Sequence, residues 1–142
     1  MRALLDVNVL IALLDGAHVH HRRASEWLQG ILEDGWASCP ITQNGCIRIM
    51  SQPAYPNARP AVAVARRLAE AAAQQWHEFW ADDVSLLEPG TLVWSTILGS
   101  RQVTDAYLIA LALRHRGRFV TFDGGIDLSM VEGATARNLV VL

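Results

Sequence analysis

The sequence predicts an α/β fold, a central parallel sheet flanked by helices. Two short apolar runs, 3–5 and 119–122, each end in a lone aspartate, and helix-patterned segments separate the strand-like ones along all 142 residues. Strands that alternate with helices in this way pair in parallel through right-handed crossovers, with both faces of the sheet covered.

The opening from Arg2 to Leu14 passes from apolar strand to apolar helix with only Asp6 to mark the change. Asp6 therefore stands at the carboxyl end of a strand, where open parallel sheets bind ligands. A carboxylate in such surroundings must be paired, hydrogen-bonded or metal-bound. Asp15-Gly16 breaks the first helix, and the next is spaced by Trp27, Leu28, Ile31 and Leu32. His18, His20 and His21 precede it; no partners follow at zinc-ligand spacing, so they are expected to lead into or cap an exposed helix. Residues 35–39 read as a second strand closed by Pro40. Thr42 is expected to cap a helix reaching about residue 51, and prolines punctuate a loop over 52–60.

Residues 61–75 form a strong helix by propensity, with an apolar surface broader than one core-facing stripe needs. Trp76 and Trp80, four apart, are expected to extend that surface, with core packing as the default and base stacking as the alternative. Residues 84–87 read as a strand and 92–98 as a short helix. Thr104 is a natural N-cap that puts Asp105 in the first turn of a buried helix, and Gly117 is its stop. Residues 118–125 then repeat the opening pattern, with Asp123 before Gly124-Gly125, and 138–142 supply a last strand.

Composition narrows the chemistry. No run approaches the roughly 20 apolar residues of a membrane span, and no signal-peptide cleavage site follows the first strand, so the expected setting is soluble and cytoplasmic, with no membrane partner. Cys39 and Cys46 are expected to be buried free thiols. All 12 cationic residues are arginines, which removes any mechanism that needs an ammonium group.

Asp6 and Asp123 at strand tips and Asp105 at a helix start converge on one crevice in this architecture. Three like charges there call for a cation, shared protons or heavy hydrogen bonding. All-oxygen donors favour Mg²⁺ or Mn²⁺, and such an ion with open water positions is the apparatus of phosphodiester hydrolysis. Asp127 is placed to add a further charge. Each aspartate alone also has a structural use, as dipole partner or turn former; the joint pattern is what points to chemistry.

The runs 4–10, 39–48, 103–108 and 120–123 resemble the successive motifs of PIN-domain ribonucleases, and more narrowly VapC-type toxins of bacterial toxin-antitoxin pairs. The resemblance spans essentially the whole chain, 1–142, as a single PIN domain. It implies a PIN-like, Rossmann-like fold, Mg²⁺- or Mn²⁺-dependent endoribonuclease activity on single-stranded or loop RNA, homodimerisation, and inhibition by a cognate VapB-type antitoxin. It also implies that Asp6, Asp105 and Asp123 ligate metal and that Arg48 and Asn8 serve substrate binding or orientation. Gln43 stands where the family usually has a catalytic glutamate. A carboxamide keeps the shape and loses the charge, so the competing reading is a weakened PIN-like module that binds RNA or antitoxin without cleaving. Phosphatases and receiver domains with a strand-tip aspartate are excluded by the absent lysine. The 61–80 region is the expected dimer or antitoxin contact.

Overall fold

Strand β1, Ala3–Leu5, is fully buried and sends its side chains alternately to the two faces of the sheet. Leu4 packs on one side with Leu108 and Phe119, and Ala3 and Leu5 on the other with Val9 and Val120. The other strands are β2, Trp36–Ser38; β3, His77–Phe79; β4, Arg118–Thr121; and β5, Leu139–Val141. In the computed structural model, which describes residues 1–142, they form one sheet in the order β3-β2-β1-β4-β5, with every neighbouring pair parallel.

The chain lays β2 and β3 on one side of β1, then β4 and β5 on the other, so strand order reverses between β1 and β4. Open parallel sheets leave a crevice at that point. Register aligns the two tips: Leu5 pairs with Val120, and the Asp6 amide donates to the Val120 carbonyl at 2.9 Å.

Helices α1 (Val7–Leu14), α3 (Pro40–Met50) and α4 (Ala61–Ala72) cover one face, around Leu10, Cys46, Met50, Val64 and Leu68. Helix α2 (His21–Gly30) lies against the same layer through Trp27 and Leu28. A Cβ on Gly45 would fall 2.6 Å from Val7 Cγ2, so glycine is what lets α3 close on α1. Helix α5 (Arg101–Arg114) covers the opposite face and buries seven consecutive residues, Ala106 to Ala112. Leu108, Ile109 and Leu111 each contribute about 2 kcal/mol by leaving water. Arg116 ends the helix in the left-handed region at φ 54°, and the Gly117 amide returns to the Ala112 carbonyl at 2.8 Å.

Several boundaries differ from the sequence expectation for local reasons. Helix α3 starts at Pro40, whose missing N–H costs nothing in a first turn. Thr42 is therefore inside the helix, where its hydroxyl accepts from the Cys39 amide at 3.0 Å. Helix α5 starts three residues before Thr104. Its entrance is closed by the Gln102 side chain, which accepts from the Leu98 and Gly99 amides, and Asp105 falls in the second turn. Helix α4 stops at Ala72, and the edge strand β3 runs between Trp76 and Trp80. Trp80 is 2% exposed and stacks on His115, so it takes the core role. Residues 84–87 are not a strand: Val84 and Leu86 pack inward from a loop, which reproduces the alternation without a partner ladder. The 92–98 segment holds only a 3-10 turn, Trp94–Thr96. Cys39 and Cys46 are buried free thiols. No helix is long and apolar enough to cross a membrane.

Candidate active site

The carboxyl ends of β1 and β4 bring Asp6, Asn8, Thr121 and Asp123 into one hydrogen-bonded group. Asp6 caps α1, its Oδ1 accepting from the Val7 amide at 2.7 Å. Its Oδ2 accepts from the Thr121 hydroxyl at 2.6 Å. The same hydroxyl oxygen accepts from Asn8 Nδ2 at 3.2 Å and from the Asp123 amide at 3.1 Å. Thr121 is fully buried, so one hydroxyl ties together two side chains and the Asp123 backbone. Sequence reasoning assigned it nothing, because a threonine in a strand reads first as a β-former; its signal was its place two residues before Asp123.

Burial holds the Asp6 carboxyl above its ordinary value despite the Thr121 and Val7 hydrogen bonds, and the Asp123 charge adds to the rise. Asp105, on the second turn of α5, is pushed up to about 6, first by burial and then by the charges of Asp6 and Asp123. Those couplings place the three carboxylates within electrostatic reach of one another. No group of three His, Cys, Asp or Glu side chains closes tightly enough to grip an ion by itself. Asp123 is exposed, and its Oδ1 accepts from the Gly125 amide at 2.8 Å. Asn8 Oδ1 is buried and has no hydrogen-bond partner.

Gln43 belongs to a separate polar chain at the tip of β2. Its Nε2 donates to Ser38 Oγ at 3.0 Å, and Ser38 Oγ lies 2.8 Å from His77 Nε2 on β3. No hydrogen bond joins Gln43 to the three aspartates. Arg48 is exposed on α3 and pairs with no carboxylate within 4.0 Å. Asp127 lies outside the group, exposed, accepting from the Ser129 amide at 2.9 Å at the start of a 3-10 turn. The histidines of the 18–21 segment are tied locally. His21 Nδ1 is 2.8 Å from the Ala12 carbonyl, the His20 amide donates to His18 Nδ1, and the His20 ring stacks on Phe122.

A PIN-domain family model matches residues 3–128. Ribonuclease VapC44 of Mycobacterium tuberculosis is 53% identical over 142 residues, which is 100% of both chains. Ribonuclease VapC38 of the same organism is 45% identical over 125 residues, covering 87% of this chain and 86% of that one. Ribonuclease VapC39 is 44% identical over 135 residues, covering 94% and 96%. Among solved structures, VapBC2 from Rickettsia felis, bound to a DNA fragment from its promoter, aligns with a TM-score of 0.57 at 14% identity, covering 87% of this chain and 89% of that chain. That last similarity is one of fold.

Proposed function

This chain belongs to the PIN-domain family, and we propose that it is the toxin of a toxin-antitoxin pair, an endoribonuclease that hydrolyses single-stranded or loop RNA. The observation that carries the reading is the Asp6-Thr121-Asp123 group at the strand-reversal point, coupled to Asp105. Full-length similarity to a ribonuclease VapC supports the activity class.

The donor set suits a hard divalent ion. Asp6, Asp105, Asp123 and Asn8 offer only oxygen, and the unpartnered Asn8 Oδ1 is an acceptor that a cation or its water would satisfy. The three aspartates would hold Mg²⁺ or Mn²⁺, which supplies charge screening of the phosphate and acidification of a water. The protein's own part is placement. The Thr121 hydroxyl fixes the Asp6 carboxylate and the Asp123 backbone, and helix α1 grows directly from Asp6, so the carboxylate cannot drift. Arg48 would hold a neighbouring phosphate of the RNA. Gln43 has its amide engaged by Ser38, at the tip of β2. The 142 residues would act as one PIN domain in the cytoplasm, as a homodimer held in check by a VapB-type antitoxin. Helix α4 buries only Val64 and Leu68 and leaves Val62 exposed, which supports the 61–80 region as a contact surface.

Purified, antitoxin-free chain incubated with cellular RNA should cleave it with Mn²⁺ or Mg²⁺ and not with EDTA, and Asp105→Asn should abolish cleavage while its circular dichroism stays unchanged. Full activity in EDTA, or in Asp105→Asn, would overturn the reading.

A further inference from the structure

The positive charge of the chain is concentrated on α3, the loop that follows it and α4. Residues 40–72 hold four arginines, Arg48, Arg59, Arg66 and Arg67, and a single carboxylate, Glu70, in a chain whose net charge is −2. Glu70 follows Arg66 by four residues and Arg67 by three on one helix, the spacing at which side chains meet. It pairs with neither. The ion pairs and the side-chain hydrogen bonds that arginines make within the fold come from Arg2, Arg22, Arg114 and Arg118 alone.

Two of the free arginines line one cavity. It holds about 270 Å³ at the C-terminal end of α1, bounded by α3, the 52–60 loop and the first turns of α4. Leu14, Met50 and Val64 give it an apolar wall, and Arg59, Arg67 and Asp15 give it charge. The Arg59 amide donates to the Met50 carbonyl at 3.1 Å, which fixes that end of the loop against α3. Arg67 stands one turn along α4 from Val64. Asp15 is already engaged by the Tyr55 hydroxyl, Asn57 Nδ2 and the Ala17 amide, so its charge is answered without either arginine.

We propose that this cavity binds the terminal phosphate of a nucleotide, with Arg59 and Arg67 holding the phosphate and the Leu14, Met50 and Val64 wall receiving the sugar and base. A guanidinium is a planar fork that meets an oxyanion through two N–H groups. A carboxylate has two oxygens and fills one fork. A terminal phosphate brings three oxygens and a charge of about −1.5 to −2 at pH 7, and so serves both. The apolar wall favours a phosphate with a body over a bare inorganic ion. Ligand cavities begin near about 300 Å³, so the volume suits one nucleotide rather than a docked helix. The site is independent of the ribonuclease reading: α1, eight residues and so about 12 Å long, runs from Asp6 to this cavity, which keeps a phosphate bound here apart from the aspartates.

The test is calorimetric titration of the full chain, stripped of metal by dialysis, with uridine 5′-monophosphate, uridine and inorganic phosphate. Without metal the aspartates repel phosphate, so the heat reports the cavity. The monophosphate should bind at least about tenfold more tightly than uridine or inorganic phosphate, and Arg59→Gln and Arg67→Gln should each weaken it about tenfold. Both side chains are exposed and unpaired, so neither variant loses a contact within the fold. Absence of monophosphate binding, equal binding of uridine, or unchanged affinity when both arginines are replaced overturns the proposal. Absence of monophosphate binding together with binding of a glutamate-rich peptide assigns the cavity to an acidic protein partner instead. A uridine dinucleotide with and without a 5′-phosphate tells the sources apart. Equal affinity of the two overturns the terminal-phosphate site; a phosphorylated dinucleotide that matches the monophosphate supports it with an RNA strand end as the ligand, and one that fails to bind supports it with a free nucleotide.

Discussion

Helix α1 carries an aspartate at each end, and the two are opposites. Asp15, at the C-terminal end, is 5% exposed and fully supplied with donors. The Tyr55 hydroxyl donates to its Oδ2, and Asn57 Nδ2 and the Ala17 amide donate to its Oδ1 at 2.9 and 3.0 Å. Burial raises its carboxyl, but those donors and the nearby His18 outweigh burial and hold it below its ordinary value. Asp6, at the N-terminal end, has two donors. There burial and the Asp123 charge win, and its carboxyl is held above. One carboxylate is spent on tying the 52–60 loop to the helix. The other keeps bonding capacity in reserve, as a site for a cation requires.

The largest expected effects come from exchanging those roles. Asp6→Asn should lower metal-dependent RNA cleavage by about a hundredfold or more, with stability to urea unchanged or raised, since a repelling charge is gone. Asp15→Ala should do the reverse. It strands the Tyr55 hydroxyl and the Asn57 amide at a cost of about 3 kcal/mol, measured by urea unfolding, while cleavage per folded molecule is kept. Stability loss in Asp6→Asn together with activity loss in folded Asp15→Ala would break the comparison.

A smaller effect sharpens it through pH. The Asp105 carboxyl rises from 3.8 to about 6 on folding, so ionising it costs stability as pH climbs through that window; Asp15 contributes stability that is lost on acidification through its lowered pKa. In EDTA, Asp105→Asn should therefore be more stable than the natural chain by on the order of 1 kcal/mol at about pH 7, after allowance for solvent screening of a half-buried group, and equal to it near about pH 4. Added Mn²⁺ should raise the Tm of the natural chain more at about pH 7 than at about pH 5, because protons and the ion compete for the same carboxylates. A Tm increment independent of pH would remove the aspartates from metal binding.

The candidate site was legible where chemistry and local pattern coincide. Asp6 and Asp123 each end an apolar run at a strand tip, and the parallel sheet does the rest. Asp105 was found for a partly mistaken reason, since Thr104 does not cap α5; Gln102, reaching back to Leu98 and Gly99, carries no comparable sequence signature. Strand β3 was hidden because three residues, two of them exposed, show no period and lie between tryptophans spaced as on a helix. Thr121 and Asp15 were passed over for a common reason. Their importance lies in partners as far as 115 and 42 residues away, and neither spacing nor propensity reports contacts at that range.

Gln43 gives the smallest expected effect and a sensitive one. Burial first of all depresses the His77 pKa, against a backbone hydrogen bond with Ala72, which favours the neutral ring and leaves its Nε2, 2.8 Å from Ser38 Oγ, to act as an acceptor. Ser38 must then donate to His77 and accept from the Gln43 amide, a chain with one direction of hydrogen bonding. Gln43→Glu removes the donor at its head. The introduced carboxylate can only accept, Ser38 turns to serve it, and His77 must offer a proton from Nε2 in return, which favours the imidazolium. The His77 pKa should move upward in an NMR titration, and cleavage should change by no more than a few fold, because this chain of bonds does not pass through Asp6, Asp105 or Asp123. An unmoved His77 with cleavage raised a hundredfold would show instead that position 43 faces the phosphate directly, and that the carboxamide, not the geometry around Ser38, limits this enzyme.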